Sequence, residues 1–257
     1  MFQHQLTSAV KIRSNSISAH SFVMGAGLPL SRSKRAFDLA VCILALPLLA
    51  LATLFVAVLT SLTSPGPIFF QQERVGYRGR KFRLYKFRTM HATAPTAPHR
   101  AHFAELVRSK TPMQKMDSRG DARLIPGGWF LRATGLDELP QLLNVLRGEM
   151  SVVGPRPCIP YEYEQFTVAQ RERFTAVPGL TGLWQVSGKN RTTFEKMVAL
   201  DIDYARNQSL TLDFRIVALT LPAVVGQLND QVKLKRASRL KHPMSSNTSI
   251  RSAHAAR

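Results

Sequence analysis

Residues 1–30 show no sustained hydrophobic period. The pattern changes at Leu39, where LAVCILALPLLALATLFVAVL runs to Leu59: 21 residues with one hydroxyl and no charge. Such a run is long enough for a membrane segment and too long for the apolar core of a signal peptide. At about 1.5 Å per residue it reaches about 31 Å. Pro47 falls near its middle, lacks an N–H for the helical ladder and crowds the carbonyl of Ile43, which predicts a break there. The two arms, Phe37–Leu46 and Leu48–Leu62, then run about 15 and 22 Å, each short of a full crossing. Basic residues lie on both flanks, Arg32, Lys34 and Arg35 before and Arg74 to Arg88 after. Two basic flanks favour both ends on the cytoplasmic side. The expectation is a re-entrant helix-break-helix over residues 31–63, in which Pro47→Ala favours a spanning helix. The soluble alternative is a buried core helix.

Ser64-Pro65-Gly66-Pro67 predicts a turn. After it, Phe82, Leu84 and Lys86-Phe87 alternate as a strand, with Gly76 and Gly79 as hairpin punctuation. Residues 91–99 form a loop, 100–108 a helix, and 116–130 a further loop. His99 and His102 are spaced as H-x2-H but lack the additional ligands a metal site needs. Leu139, Leu142, Leu143 and Leu146 predict a short helix that tolerates Pro140 in its first turn. Tyr161 to Phe174 reads as helical. Pro178 to Gly182 reads as a rigid turn entering a strand at Leu183–Val186. Thr192 or Thr193 is an N-cap for a helix whose Phe194, Met197, Val198, Asp201, Tyr204 and Ala205 share one face. Leu210–Val225 is a last, largely apolar segment, amphipathic at best, that suits packing against the domain or a membrane surface.

Charge adds to this picture. The chain carries 35 Lys and Arg against 16 Asp and Glu, a net +19. Twelve of those surplus charges lie in residues 1–37 and 231–257, which contain no acid. Both termini are expected to be loose basic tails. Such a balance suits nucleic acid, anionic lipid or a phosphorylated substrate. Cys42 and Cys158 offer neither a disulfide framework nor zinc spacing, and no histidine is near Cys158 to activate it.

Chemistry concentrates in Leu131–Pro157, LRATGLDELPQLLNVLRGEMSVVGPRP. Asp137 and Glu138 adjoin a helix start, with Arg132 before and Arg156 after, which points to a phosphate with a hard cation. An acidic cap within a surface salt-bridge cluster is the plain alternative. Asp201, on an apolar face, is either a satisfied structural partner or a functional acid.

These blocks, with KFRLYKFRTM before them and PGLTGLWQVSGKN and LDIDYARNQSL after, resemble the bacterial sugar transferases. The resemblance covers roughly Ser31 to Gly226. Those enzymes are monotopic polyprenyl-phosphate phosphoglycosyl transferases that start exopolysaccharide and related glycans. The resemblance implies the minimal catalytic form, without the large N-terminal membrane region of some relatives. It implies a mostly α fold with small β elements. The re-entrant membrane helix would join a compact cytoplasmic catalytic domain at 64–229 with amphipathic interfacial helices, between loose segments at 1–30 and 230–257. It implies transfer of a sugar-1-phosphate from a UDP-sugar to undecaprenyl phosphate at the inner leaflet, with Mg²⁺ and release of UMP. Asp137 would be the nucleophile and Glu138 the Mg²⁺ partner. Arg88, Arg132 and Arg156 would neutralise phosphate, Asp201 would act nearby, and Pro178 and Gly179 would shape the nucleotide side. Nucleic acid is not an expected partner; other glycan-assembly enzymes are. The sugar stays open, with an unmodified hexose favoured. One departure is Leu46, where relatives often carry serine before the helix proline. The competing class is a membrane-anchored protein that binds nucleic acid or acidic lipid, resting on charge alone.

Overall fold

The computed structural model describes residues 30–91, 97–109, 111–113, 121 and 123–241. The loose arm expected at 1–30 and the far end of the basic tail, 242–257, lie almost wholly outside the described residues, as do the His99 and His102 side chains.

The chain opens with α1, Arg32–Thr63. Ser31 caps it, its hydroxyl accepting the Lys34 N–H at 3.2 Å. Contrary to expectation, helical structure continues through Pro47. The physical reason lies in packing. Lys34, Asp38, Cys42, Leu49, Ala52, Val56 and Thr60 form one buried stripe along the helix, on both sides of the proline. Tertiary contact on each side outweighs one missing hydrogen bond. Both ends rest on the same domain: the Arg35 guanidinium donates to the carbonyls of Val145 and Leu146 at 2.5 and 2.8 Å. At the other end the Arg88 guanidinium donates to Ser64, the residue that closes the helix. The opposite face leaves Ile43, Leu44, Leu51, Leu54, Phe55, Val58 and Leu62 exposed.

Strands β1 (Phe69–Val75) and β2 (Lys81–Phe87) pair antiparallel, from Phe69 opposite Phe87 to Val75 opposite Lys81. Helices α2 (Ala97–Arg108) and α3 (Gly128–Thr134) follow. A 3-10 helix, Leu136–Gln141, then leads into α4 (Leu142–Leu146). Gly135, at φ +76°, separates α3 from this turn. Such a left-handed backbone suits glycine, and it lets one helix stop and the next begin in another direction.

Next come β3 (Ser151–Val153) and α5 (Pro160–Gln165), a 3-10 helix at Gln170–Thr175, then β4 (Gly179–Thr181) and α6 (Leu183–Val186). Two expectations change here. Tyr161–Phe174 is two short helices, not one. The strand is Gly179–Thr181, parallel to β3, while Leu183–Val186 is helical. The chain crosses beside β3 at 179–181, where Gly179 and Gly182 close on the Gly154 backbone, and it turns into a helix after Gly182.

Helix α7 (Phe194–Arg206) starts at Thr193, whose hydroxyl accepts the Lys196 N–H. Its buried face is Phe194, Met197, Val198, Asp201 and Tyr204, as the periodicity predicts. Helix α8 (Leu210–Lys241) runs past residue 229, where a loose tail was expected. A buried polar network ties these ends together. Lys34 Nζ lies 2.8 Å from Asp213, and the Tyr204 hydroxyl donates to Asp213 at 2.7 Å. Asp38 accepts the Ser151 hydroxyl and the Val152 N–H, both at 3.0 Å. The fold is mostly α with two small sheets.

Candidate active site

The β-hairpin register decides one wall of the site. Residues directly opposite each other in antiparallel strands present their side chains on the same face. Arg74 opposes Phe82, Gln72 opposes Leu84 and Phe70 opposes Lys86. Arg74, Leu84 and Lys86 therefore emerge together and line one open cleft. The other face carries exposed polar pairs such as Glu73 and Lys81, 3.0 Å apart.

The acidic turn forms the second wall. Asp137 and Glu138 occupy the first turn of the 3-10 helix, and Asp137 is buried. Glu138 and Gln141 line the cleft. Glu138 Oε1 lies 2.8 Å from Lys86 Nζ. Asn144 holds the two walls in register. Its Oδ1 accepts the Tyr85 N–H at 3.1 Å, and its amide donates to the Arg83 carbonyl at 2.7 Å and to Glu149 at 2.6 Å.

The third wall is a backbone crossing. The Gly154 N–H donates to Thr181 and the Gly179 N–H to Pro155, each at 2.9 Å. A Cβ at Gly154, Gly179 or Gly182 would overlap the backbone of its neighbour in the crossing. The glycines of Gly-Pro-Arg-Pro and Pro-Gly-Leu-Thr-Gly therefore serve close approach, which sets Arg156 and Pro157 beside Gly179, Leu180 and Gln185 around the cleft.

Behind this wall, Arg173 fixes Arg156. Its guanidinium donates to the Arg156 carbonyl at 2.9 Å and to Asp201, while lying 5.0 Å from the Phe166 ring centre. Burial raises the Asp201 carboxyl above the ordinary carboxylate range, opposed by Arg173 and by the Arg156 backbone. The Arg173–Asp201 pair thus lies against the Arg156 backbone, held by the Arg173 bond to its carbonyl.

The cleft gathers Glu138, Arg156 and Gly179 from the residues expected by sequence. Asp137 is the buried neighbour of Glu138 in the same turn. Pro178 is buried behind Gly179, packed near Gly76. Asp201 meets its partner in Arg173, outside the cleft lining. Arg88 is buried, and its three nitrogens donate to Pro67 and Ser64 of the turn after α1, away from the cleft. Arg132 sits in the last turn of α3. There its charge helps lower the Asp121 carboxyl, although the hydrogen bond from Arg123 is the larger cause. Pro47 lies mid-helix on the exposed face of α1. Sequence reasoning missed Arg74, Lys86, Gln141 and Asn144 as site residues; strand register was the signal for the first two.

Burial pushes the Cys158 thiol up to about 12, which keeps it protonated and unreactive. Among the described residues no group of three or more His, Cys, Asp and Glu forms a metal cage. Mg²⁺ does not require one. It commonly takes one or two carboxylates, substrate phosphate oxygens and water. Glu138 with Asp137 beside it supplies that donor chemistry, with Lys86 sharing Oε1.

Comparison with known proteins bears on this arrangement. The sequence profile of the family described as "Bacterial sugar transferase" matches residues 30–227, from α1 into α8. The "Exopolysaccharide production protein ExoY" of Sinorhizobium fredii is 42% identical over 197 residues, covering 75% of this chain and 85% of that protein. A "UDP-glucose:undecaprenyl-phosphate glucose-1-phosphate transferase" of Caulobacter vibrioides is 39% identical over 200 residues, 75% of this chain and 69% of its own length. "Galactosyl transferase CpsE" of Streptococcus agalactiae is 42% identical over 161 residues, 62% of this chain and 35% of its own length. With its cleft built from the blocks that carried the resemblance, the chain belongs to the bacterial sugar transferases.

Proposed function

We propose that this protein transfers a hexose-1-phosphate from a UDP-sugar to undecaprenyl phosphate and releases UMP, the opening step of an exopolysaccharide or related glycan. The observation that carries this reading is the meeting of Glu138, Lys86, Arg156 and Arg74 in one cleft beside the Asp137 turn. A diphosphate needs several cations around it, and a carboxylate attacking phosphorus needs its repulsion cancelled.

A carboxylate oxygen of Asp137 attacks the β-phosphorus. The bond from that phosphorus to the bridging oxygen breaks, and its electron pair leaves with UMP. An oxygen of the acceptor phosphate then attacks the same phosphorus, the Asp137–phosphorus bond breaks, and the carboxylate is restored. Because UMP departs first, two bulky substrates never need to bind together. Arg156 and Lys86 hold phosphate oxygens and orient them. Glu138, with Asp137 adjacent, would hold Mg²⁺, which would neutralise charge on the diphosphate when bound.

Helix α1 serves as a monotopic anchor in the inner leaflet. What supports this is that both its ends pack on one domain while its outer face is apolar and exposed. A perpendicular crossing would carry those domain contacts into the bilayer. The outer residues of α8, Phe214, Leu221 and Val225, add a second apolar surface beside it, with Phe214 touching Phe37 of α1 at 4.7 Å between ring centres.

The deciding experiment is UMP release from a panel of UDP-sugars with undecaprenyl phosphate and Mg²⁺, comparing wild type with Asp137→Asn. The variant is expected to lose UMP release by roughly 10³-fold or more while staying membrane-bound. Undiminished turnover would falsify the nucleophile assignment.

A further inference from the structure

Arg74 is a buried cation with no carboxylate in direct contact. It is 7% exposed, and its guanidinium meets only neutral oxygens: the Pro157 carbonyl at 3.3 Å and Gln72 Oε1 at 2.6 Å. Its Nε has no partner. The other buried basic residues are handled differently. Arg173 has Asp201, Lys34 has Asp213, and Arg88 spends all three nitrogens on the Ser64–Pro67 turn. Arg74 alone among these combines an open nitrogen, no carboxylate within ion-pair distance and a place in the cleft lining.

The strongest charge acting on it makes the imbalance worse, and the more distant Glu162 and Glu138 oppose that only in part. Arg156 also lines the cleft, and its charge disfavours that of Arg74. Burial first, and Arg156 second, bring the Arg74 guanidinium down to about 10. The guanidinium stays charged at neutral pH, so the cost of that charge is present throughout the working range. Glu138, the one carboxylate in the lining, is already on Lys86. Arg74 thus keeps a charge that Glu162 and Glu138 offset only from a distance, beside the Arg156 guanidinium in one partly water-excluded cleft. A buried charge in this position is stabilised by an anion that arrives from outside. Two planar forks side by side suit the several oxygens of a phosphoryl group.

We propose that Arg74 and Arg156 together form a seat for a phosphate-monoester dianion, with Arg74 a substrate-binding residue in its own right. The proposal rests on the reaction given above. That reaction presents two such dianions in succession: UMP as it leaves, and the polyprenyl phosphate as it arrives. Because they are never present together, one seat serves both.

The test uses the full chain in lipid nanodiscs, with UMP and a short-chain polyprenyl phosphate as separate probes. Thermal stability and titration are followed for wild type, Arg74→Lys and Arg74→Met. The expected order of affinity is wild type, then Lys, then Met, with about a tenfold or greater loss for Met toward at least one probe. Without ligand, Arg74→Met is expected to melt no lower than wild type, because it removes a buried charge with no contacting carboxylate. A residue that only braced the hairpin would give the reverse: a lower melting temperature and unchanged ligand-induced stabilisation. Equal affinity of wild type and Arg74→Met for both probes overturns the proposal. Should Arg74→Met not fold, equal affinity of wild type and Arg74→Lys overturns it instead. Loss toward one probe assigns the seat to that source, and loss toward both supports the shared seat. UMP release by the wild type is measured alongside, so failure of the overall reaction is read separately from failure of the seat.

Discussion

Asp201 shows how a single residue can be placed correctly and still change meaning. Periodicity puts it on the apolar face of α7, and it is buried there. The decisive partner is Arg173, 28 residues earlier, which no local pattern connects to it. Removing the acid leaves Arg173 buried and unpaired, which costs about 3–5 kcal/mol. We therefore expect Asp201→Ala to melt lower by roughly 6–20 °C, since about 2–4 °C accompany each kcal/mol in domains of this size. Because the pair grips the Arg156 backbone, phosphate affinity should fall with it. Calorimetry and UMP titration of the same sample check both; an unchanged melting temperature with intact affinity would remove the clamp from the account. Arg88 makes the complementary point. Its block is among those that carry the family resemblance, yet its guanidinium holds the turn that closes α1.

At the scale of elements, α1 is the instructive case. Proline chemistry predicts a break, because one N–H is missing and a ring crowds the preceding turn. The helix nonetheless runs through, held by Cys42 before Pro47 and by Leu49 after it, both buried against the domain. Tertiary packing therefore governs the orientation of both ends. Pro47→Ala is then expected to leave the topology unchanged, contrary to what the isolated segment suggests. In intact cells, a Gln5→Cys marker should stay unlabelled by an impermeant maleimide, both in the wild-type background and combined with Pro47→Ala. Labelling that appears only in the combined variant would mean that proline, not packing, sets the topology. The misread strand at Leu183–Val186 has a similar origin. Aromatic and branched residues favour strands locally, but the chain passes β3 earlier, at 179–181, where Gly179 and Gly182 close on Gly154.

For the whole molecule, net charge and apolar surface lead to different expectations for the membrane attachment proposed above. The chain carries +19, which by itself fits a protein held by acidic lipid or nucleic acid. The exposed side of α1 argues for apolar insertion as the main term, since hydrophobic burial scales with area and survives screening. At about 1 M salt the Debye length falls to about 3 Å, so purely electrostatic attachment should be lost. We expect the protein to remain in the membrane pellet under those conditions and to be released by detergent. Release by salt alone would favour the charge-based alternative.

The sequence by itself determined the apolar run of α1, the hairpin, the amphipathic face of α7 and the family blocks that hold Asp137, Glu138, Arg156 and Gly179, but not that α1 continues through Pro47. Each rests on local information: run length, alternation, helical period, or a motif of adjacent residues. Only the tertiary structure decided that Lys86 meets Glu138, that Arg74 is buried near Arg156 without a contacting carboxylate, and that Arg173 with Asp201 fixes the Arg156 backbone. These pairings join residues far apart in the chain. They depend on strand register and on a glycine crossing, both of which are settled by packing of the whole domain and not by any one segment.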